Sequence, residues 1–174
     1  MRTKAAWPDG RRFAFTIFDD TDWTTMTRGP DVYEFLKDVG MRTTKSVWPL
    51  QGSEDVIIGG MSCEDPEYLA WVQKLQADGF EIALHGVANS SSRRAEVQRG
   101  LTAFREMFGH DPKVHVNHHE NRDGLYWGEA RLTGANRFLY TRLHRHRNGG
   151  LDGGSHPNSE YFWGDIAKEK ITYV

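Results

Sequence analysis

The chain contains one cysteine, Cys63, among its 174 residues. A single cysteine excludes an intrachain disulfide and a cysteine-based zinc cage, so any bound metal must be held mainly by histidine and carboxylate side chains. The sequence also lacks a run of about 18 consecutive apolar residues. Its start, Met1 to Lys4, is not followed by the apolar core of a signal peptide. These absences predict a cytoplasmic protein that does not insert into a membrane.

A strong excess of charge of either sign is absent as well, since the formal net charge is −2. A balanced chain has no electrostatic footprint for nucleic acid, and we expect no nucleic-acid partner. The basic stretch 142–147 is a local exception. Such a stretch is typical of a solvated loop or helix face, and contact with an acidic ligand is the alternative. With 174 residues, of which 38% are hydrophobic, we expect one domain over residues 1–174.

Apolar stretches alternate along the chain with segments of helical periodicity. Three of these segments have the spacing of amphipathic helices; Pro30 and Pro66 mark two helix starts, and serines 90–92 offer caps for the third. The apolar stretches predict strands over 13–18, 42–48, 80–85 and 113–117, with further strands at 137–141 and 171–174 and a short helix at 161–168. This alternation predicts an α/β protein whose βαβ units form a parallel sheet or barrel.

Acidic and histidine side chains follow the ends of several predicted strands. Asp19 and Asp20 follow the first strand, His85 ends the third, and His118 and His119 follow the fourth. Because the carboxyl ends of parallel strands share one rim, these residues should lie near one another. Adjacent aspartates are also typical of turns, and a lone strand-end histidine often has only a structural role. Their coincidence on one rim nevertheless favours a site for zinc or another divalent transition metal.

Two motifs resemble those of polysaccharide deacetylases, the NodB-homology domain of carbohydrate esterase family 4. Phe18-Asp19-Asp20 is similar to the Thr-Phe-Asp-Asp motif of that family, with Ile17 where the family usually has threonine or serine. The run 79–86 resembles the second motif, in which a strand presents a metal-binding histidine. The resemblance extends over about residues 13–128 in order and spacing. It implies a distorted (β/α) barrel that lacks its last strands, because the family's barrel is usually longer than this chain.

The resemblance also implies an activity. Such enzymes are metal-dependent hydrolases that remove the acetyl group from an N-acetylated sugar of a cell-surface polysaccharide or its precursor. By this resemblance Asp19 is the general base, Asp20 and His85 bind the metal, and zinc is the expected ion. The partner would be a carbohydrate. Aromatic rings stack on sugars as well as packing in cores, and the candidates for substrate contact are Trp48, Tyr126 and Trp127.

Several positions depart from the pattern of the family. Asn89 stands where the family has a second metal-binding histidine, and a neutral amide is a poor zinc ligand. The third motif lacks its arginine, but its segment offers His118 as a replacement ligand. Asn89 and His119 are further candidates for contact with metal or substrate, and His156 is the nearest stand-in for the late histidine that acts as general acid. These departures support an alternative, a catalytically inactive NodB-like carbohydrate-binding or scaffold domain. The oligomeric state stays open.

Overall fold

The computed structural model describes residues 7–53, 56, 58–126, 128–144 and 151–174. Its described part is a mixed α/β structure built on a parallel three-stranded sheet of order β1-β2-β3. The strands are β1 (Phe18–Asp19), β2 (Thr44–Val47) and β3 (Glu81–Leu84). The helices are α1 (Gly29–Asp38), α2 (Pro66–Ala77), α3 (Arg94–Phe108), α4 (Gly134–His144) and α5 (Gly164–Lys170). Closure of these elements into a barrel stays a prediction.

The helix between β2 and β3 begins at the predicted signals. The Asp65 carboxylate accepts hydrogen bonds from the backbone N–H groups of Glu67 and Tyr68, both at 3.0 Å. Pro66 occupies the first helical position, where a missing N–H costs nothing. One face of this helix packs on the sheet and contributes Tyr68, Val72 and Leu75 to the core. The capped start thereby holds α2 against the strands whose ends carry the site.

The start of α3 differs from the prediction. Its N-cap is Arg93, whose backbone N–H donates to Glu96 at 2.7 Å. The three serines at 90–92 therefore do not cap the helix but lie in the loop between β3 and α3. Gly109, with φ of 79°, ends the helix as predicted, in the left-handed conformation that glycine adopts without strain.

The first strand is much shorter than its apolar run predicts. Only Phe18 and Asp19 pair with β2, opposite Thr44 and Lys45. Phe13 and Phe15 are 73% and 72% exposed, so the expectation of a buried strand over 13–18 is wrong for its first five residues. Sequence alternation cannot distinguish a core strand from an edge segment, and β1 lies at the edge of the described sheet.

The chain after α3 returns to the far side of β3. His115 forms a parallel bridge with Leu84, and Val114 forms a parallel bridge with Tyr173, so the predicted strands at 113–117 and 171–174 are reduced to isolated bridges. The predicted strand 137–141 is wrong, because it lies inside α4. A short apolar run fits the periodicity of a strand and that of a helix, and the surrounding residues decide which of the two forms. Within the described ranges, no helix is both long enough and apolar enough to cross a bilayer.

Candidate metal centre

Three side chains from separate parts of the chain converge at the carboxyl end of the sheet. The Asp22 Oδ1 atom lies 3.3 Å from Nε2 of His85 and 3.4 Å from Nε2 of His118. All three atoms lie within 4.8 Å of one another. Tetrahedral ligands at a zinc bond length of about 2.1 Å are separated by about 3.4 Å. The three atoms therefore have the spacing of ligands around one small ion.

The same three atoms are buried and have no hydrogen-bond partner among the described residues. Leaving a buried polar atom unsatisfied costs about 1–3 kcal/mol, so three of them in contact require an explanation. Burial lowers the pKa of His85 to about 4 and also lowers that of His118, which keeps both imidazoles neutral near pH 7. Two neutral imidazoles and a carboxylate facing one another form a set of lone pairs that a divalent cation would satisfy.

The orientation of His118 is set by Asn121. The amide nitrogen of Asn121 donates to the backbone carbonyls of Ala88 and Ser90, at 3.3 Å and 3.1 Å. Its carbonyl oxygen consequently faces Nδ1 of His118, at 3.3 Å. This contact assigns the ring proton to Nδ1 and leaves the lone pair on Nε2, the atom that faces Asp22 and His85.

His85 is placed by β3 and by the glycine that follows it. Gly86 has φ of 69°, a conformation that favours glycine, and an added Cβ would lie 3.8 Å from the Cβ of His118. The chain can thus turn sharply after His85 while the 118 segment approaches it. The buried ring of Trp48 forms the wall behind both histidines, with centroid distances of 6.1 Å to His85 and 5.3 Å to His118.

Asp22 comes from a tight turn after β1. Its backbone N–H donates to Oδ1 of Asp20 at 3.1 Å, and the N–H of Trp23 donates to the carbonyl of Gly59 at 2.7 Å. Trp23 has φ of 59°, a strained value for a tryptophan. Asp20, the predicted metal ligand, is 56% exposed and lies 3.0 Å from Nε2 of His85, beside the three-residue group. Sequence reasoning missed Asp22, although aspartates two apart in a turn can face the same point.

Asp19 is held by two donors on one oxygen. The Tyr33 hydroxyl donates to Oδ2 at 2.8 Å, and the Lys45 ammonium lies 2.9 Å from the same atom. Lys45 is fully buried, donates also to Thr24 Oγ1 at 3.2 Å, and has its pKa lowered by that burial. The second oxygen of Asp19 has no hydrogen bond within the described ranges. The carboxylate is therefore anchored through Oδ2, and Oδ1 is free to take a proton.

The other candidates lie around this group rather than in it. Asn89 is buried and its amide donates to the carbonyl of Ile58 at 3.4 Å. The His119 side chain is 65% exposed, beside Glu120. His156 contacts Asp152 at 2.9 Å, and no described contact joins it to the three ligand atoms.

The aromatic residues predicted to contact the substrate differ in their exposure. Trp48 is 1% exposed and packs on the two histidines, so its ring has no open face for stacking on a sugar. Tyr126 is 52% exposed, and its backbone N–H donates to Ser155. Trp127 lies outside the described residues. Tyr126 thus keeps the exposure that a stacking role requires.

A cavity of about 770 Å³ opens beside the metal-ligand group, with His118 in its wall. We call it the polar cavity. Its volume is in the range of small-molecule sites. Its lining includes Ser53, Asn89, Ser90, Ser91, Arg99 and Arg122.

Comparison of the chain with models of protein families, with curated proteins and with solved structures finds no significant match.

The pH dependence of metal binding follows from the same burial. Burial, followed by the charge of Asp20, raises the pKa of Asp22 to about 6, whereas that of His85 is lowered to about 4. Asp22 therefore takes up a proton before His85 does as the pH falls. We expect zinc affinity, measured by competition with a chelator from pH 8 to pH 5, to fall about 10-fold per pH unit below pH 6. An affinity that stays constant to pH 5 would contradict this assignment.

Proposed function

We propose that the chain is a metal-dependent deacetylase of the NodB type, which removes the acetyl group from an N-acetylated sugar of a cell-surface polysaccharide or its precursor. The observation that carries the proposal is the convergence of three buried atoms that have no hydrogen bond among the described residues: Oδ1 of Asp22 and Nε2 of His85 and His118. The anchored Asp19 stands three residues before Asp22 in the chain. Imidazole and carboxylate ligands with that spacing fit zinc.

Asp22, His85 and His118 would hold the ion, and the exposed carboxylate of Asp20 is close enough to His85 to add a fourth contact. When bound, such an ion polarises the amide carbonyl and lowers the pKa of water. Asp20 was the expected carboxylate ligand. The buried and unpaired Oδ1 of Asp22 makes that residue the better choice.

Asp19 is the proposed general base. Its Oδ1 would accept a proton from the attacking water while Lys45 and Tyr33 hold Oδ2. The water oxygen would form a bond to the acetyl carbonyl carbon, the bond between carbon and nitrogen would break, and the nitrogen would leave with a proton. The products are acetate and a free amine. Lys45 would then hold the base in position. In the family that the sequence resembles, an arginine of the third motif orients the base, and this chain lacks that arginine.

The test is release of acetate from N-acetylated oligosaccharides by protein loaded with Zn²⁺, Co²⁺, Ni²⁺ or Mn²⁺. Asp19→Asn should abolish release while the protein still binds metal, because the base is lost and the ligands remain. Asp31→Asn, an exposed position in the first turn of α1, is the matched control and should keep full activity. Loss of metal together with turnover in Asp19→Asn protein that is shown by circular dichroism to be folded would make Asp19 a metal ligand and remove it as the general base.

A binding domain without turnover is the second candidate. Asn89 favours it, because this buried amide occupies the position of the family's second histidine. Tight binding of an N-acetylated glycan by the metal-loaded protein, with no acetate released over hours, would select this alternative. Failure to bind any of the four metals would remove the deacetylase proposal.

A further inference from the structure

The polar cavity has two arginines in its wall, Arg99 from α3 and Arg122 from the segment after His118. Within the described part of the chain, neither guanidinium has a carboxylate at ion-pair distance. The recorded contact of the Arg122 guanidinium is with the ring of Tyr161, 6.0 Å from its centroid. An aromatic face orients a cation without neutralising it. Both positive charges are therefore available to a ligand.

The acidic residues of the same wall already have partners. Glu96 accepts the backbone N–H of Arg93 at 2.7 Å, at the start of α3. Oε1 of Glu120 lies 3.5 Å from Nε2 of His119. Glu96 and Glu120 balance the two arginines in formal charge, but in the described part of the chain neither carboxylate lies at ion-pair distance from Arg99 or Arg122. Both guanidinium groups therefore keep unused donors at the cavity wall. Glu54 and Asp55 lie outside the described residues.

Two serines add neutral donors. Ser90 Oγ accepts the backbone N–H of Ser53 at 3.2 Å, and Ser91 Oγ accepts that of Arg122 at 3.0 Å. A hydroxyl that is used as an acceptor keeps its own proton for a further bond. The wall therefore combines guanidinium and hydroxyl donors, which together suit the oxygen atoms of an anion.

We infer that the polar cavity binds a sugar through an anionic substituent, a carboxylate or a phosphate, held by Arg99 and Arg122. The inference deepens the proposed function and rests on it in one respect, since the acetamido group of the same sugar would face the metal ligand His118. The substrate class is then an acidic N-acetylated sugar rather than a neutral one.

The experiment measures binding by calorimetry, at low ionic strength, with zinc-loaded protein and three probes: N-acetylglucosamine, its 6-phosphate and N-acetylmuramic acid. The wild type should bind at least one acidic probe about 10- to 100-fold more tightly than the neutral sugar, because contacts with an ionised group are the stronger ones. Tight binding of one acidic probe alone identifies the anion. Arg99→Gln combined with Arg122→Gln should equalise the three affinities, because both guanidinium groups that would hold the anion are lost.

Arg105→Gln is the matched control, because Arg105 lies on the same helix, pairs with Asp111 and is outside the cavity. It should keep the preference. Equal affinities in the wild type, a preference that survives the double substitution, or no binding of any probe at millimolar concentration overturns the inference. A preference that emerges only after Glu54→Gln and Asp55→Asn would overturn it for the natural chain. The readout needs no turnover, so anion preference without acetate release would reject the deacetylase and retain the cavity assignment.

Discussion

Zinc affinity is expected to fall by about 100-fold or more when His118 is replaced by alanine. Loss of a residue that merely orients a ligand typically costs 10- to 100-fold, and loss of the ligand itself should cost at least the upper end. His118 contributes a buried Nε2 atom 3.4 Å from Oδ1 of Asp22, and no other described side chain takes its place. Isothermal calorimetry on metal-free protein measures the effect directly.

The neighbouring histidine supplies the control. His119→Ala makes the same chemical change one residue away, but its side chain is 65% exposed, whereas that of His118 is 3% exposed. His119→Ala should leave zinc affinity within about twofold of the wild type. Equal affinities for the two variants would remove His118 from the site. Asn121→Ala should fall between the two, since Asn121 only orients His118.

The largest expected effect on stability belongs to Asp19. Asp19→Asn should lower the free energy of unfolding by about 3–5 kcal/mol, the usual cost of leaving a buried charge without its partner. The charge left behind is that of Lys45, whose side chain is fully buried. Lys45 could also avoid the unpaired charge by losing its proton. Deprotonating a lysine of pKa about 10.4 at pH 7 costs about 4.6 kcal/mol, which sets an upper limit of similar size on the cost of the unpaired charge. Urea unfolding of the metal-free protein provides the measurement.

The opposite substitution should cost less. Lys45→Met removes the buried charge and leaves Asp19, which is 37% exposed and still bonded to the Tyr33 hydroxyl. We expect a loss of about 1 kcal/mol or less. The double variant should be more stable than Asp19→Asn alone, because the charge that lost its partner is then gone. A loss of stability in the double variant that equals the sum of the two single losses would show that Asp19 and Lys45 are not coupled.

The pH dependence of the Asp19→Asn variant gives a second check. Burial lowers the pKa of Lys45 in the folded protein below that of an unfolded chain. Between the two pKa values the unfolded state binds more protons, so the contribution of Lys45 to stability rises with pH up to about 10. The raised pKa of the buried Cys63 thiol acts in the opposite direction at alkaline pH. The rise due to Lys45 should be steeper in Asp19→Asn than in the wild type, because the carboxylate no longer supports the charged form. It should be absent in Lys45→Met.

Local signals in the sequence predicted the elements that begin or end at a capping residue, a proline or a glycine. Asp65 and Pro66 start α2, Gly109 ends α3, and the parallel order of the first three strands follows from the helices between them. The predictions failed where no local signal distinguishes the alternatives. The strand 13–18 and the strand 137–141 were short apolar runs, and only neighbouring segments decide whether such a run is buried, exposed or helical.

The sequence by itself determined which side chains are available to the candidate metal centre. One cysteine and several histidines after predicted strands restrict the ligands to imidazole and carboxylate, and strand order places His85 and His118 on one rim. The tertiary structure alone decided which carboxylate faces them and what anchors Asp19. Asp22 reaches the histidines through the backbone of a strained turn, and Lys45 is buried on β2, the central strand of the described sheet, where it contacts Asp19. Both outcomes depend on contacts between segments far apart in the chain, which residue type and spacing do not encode.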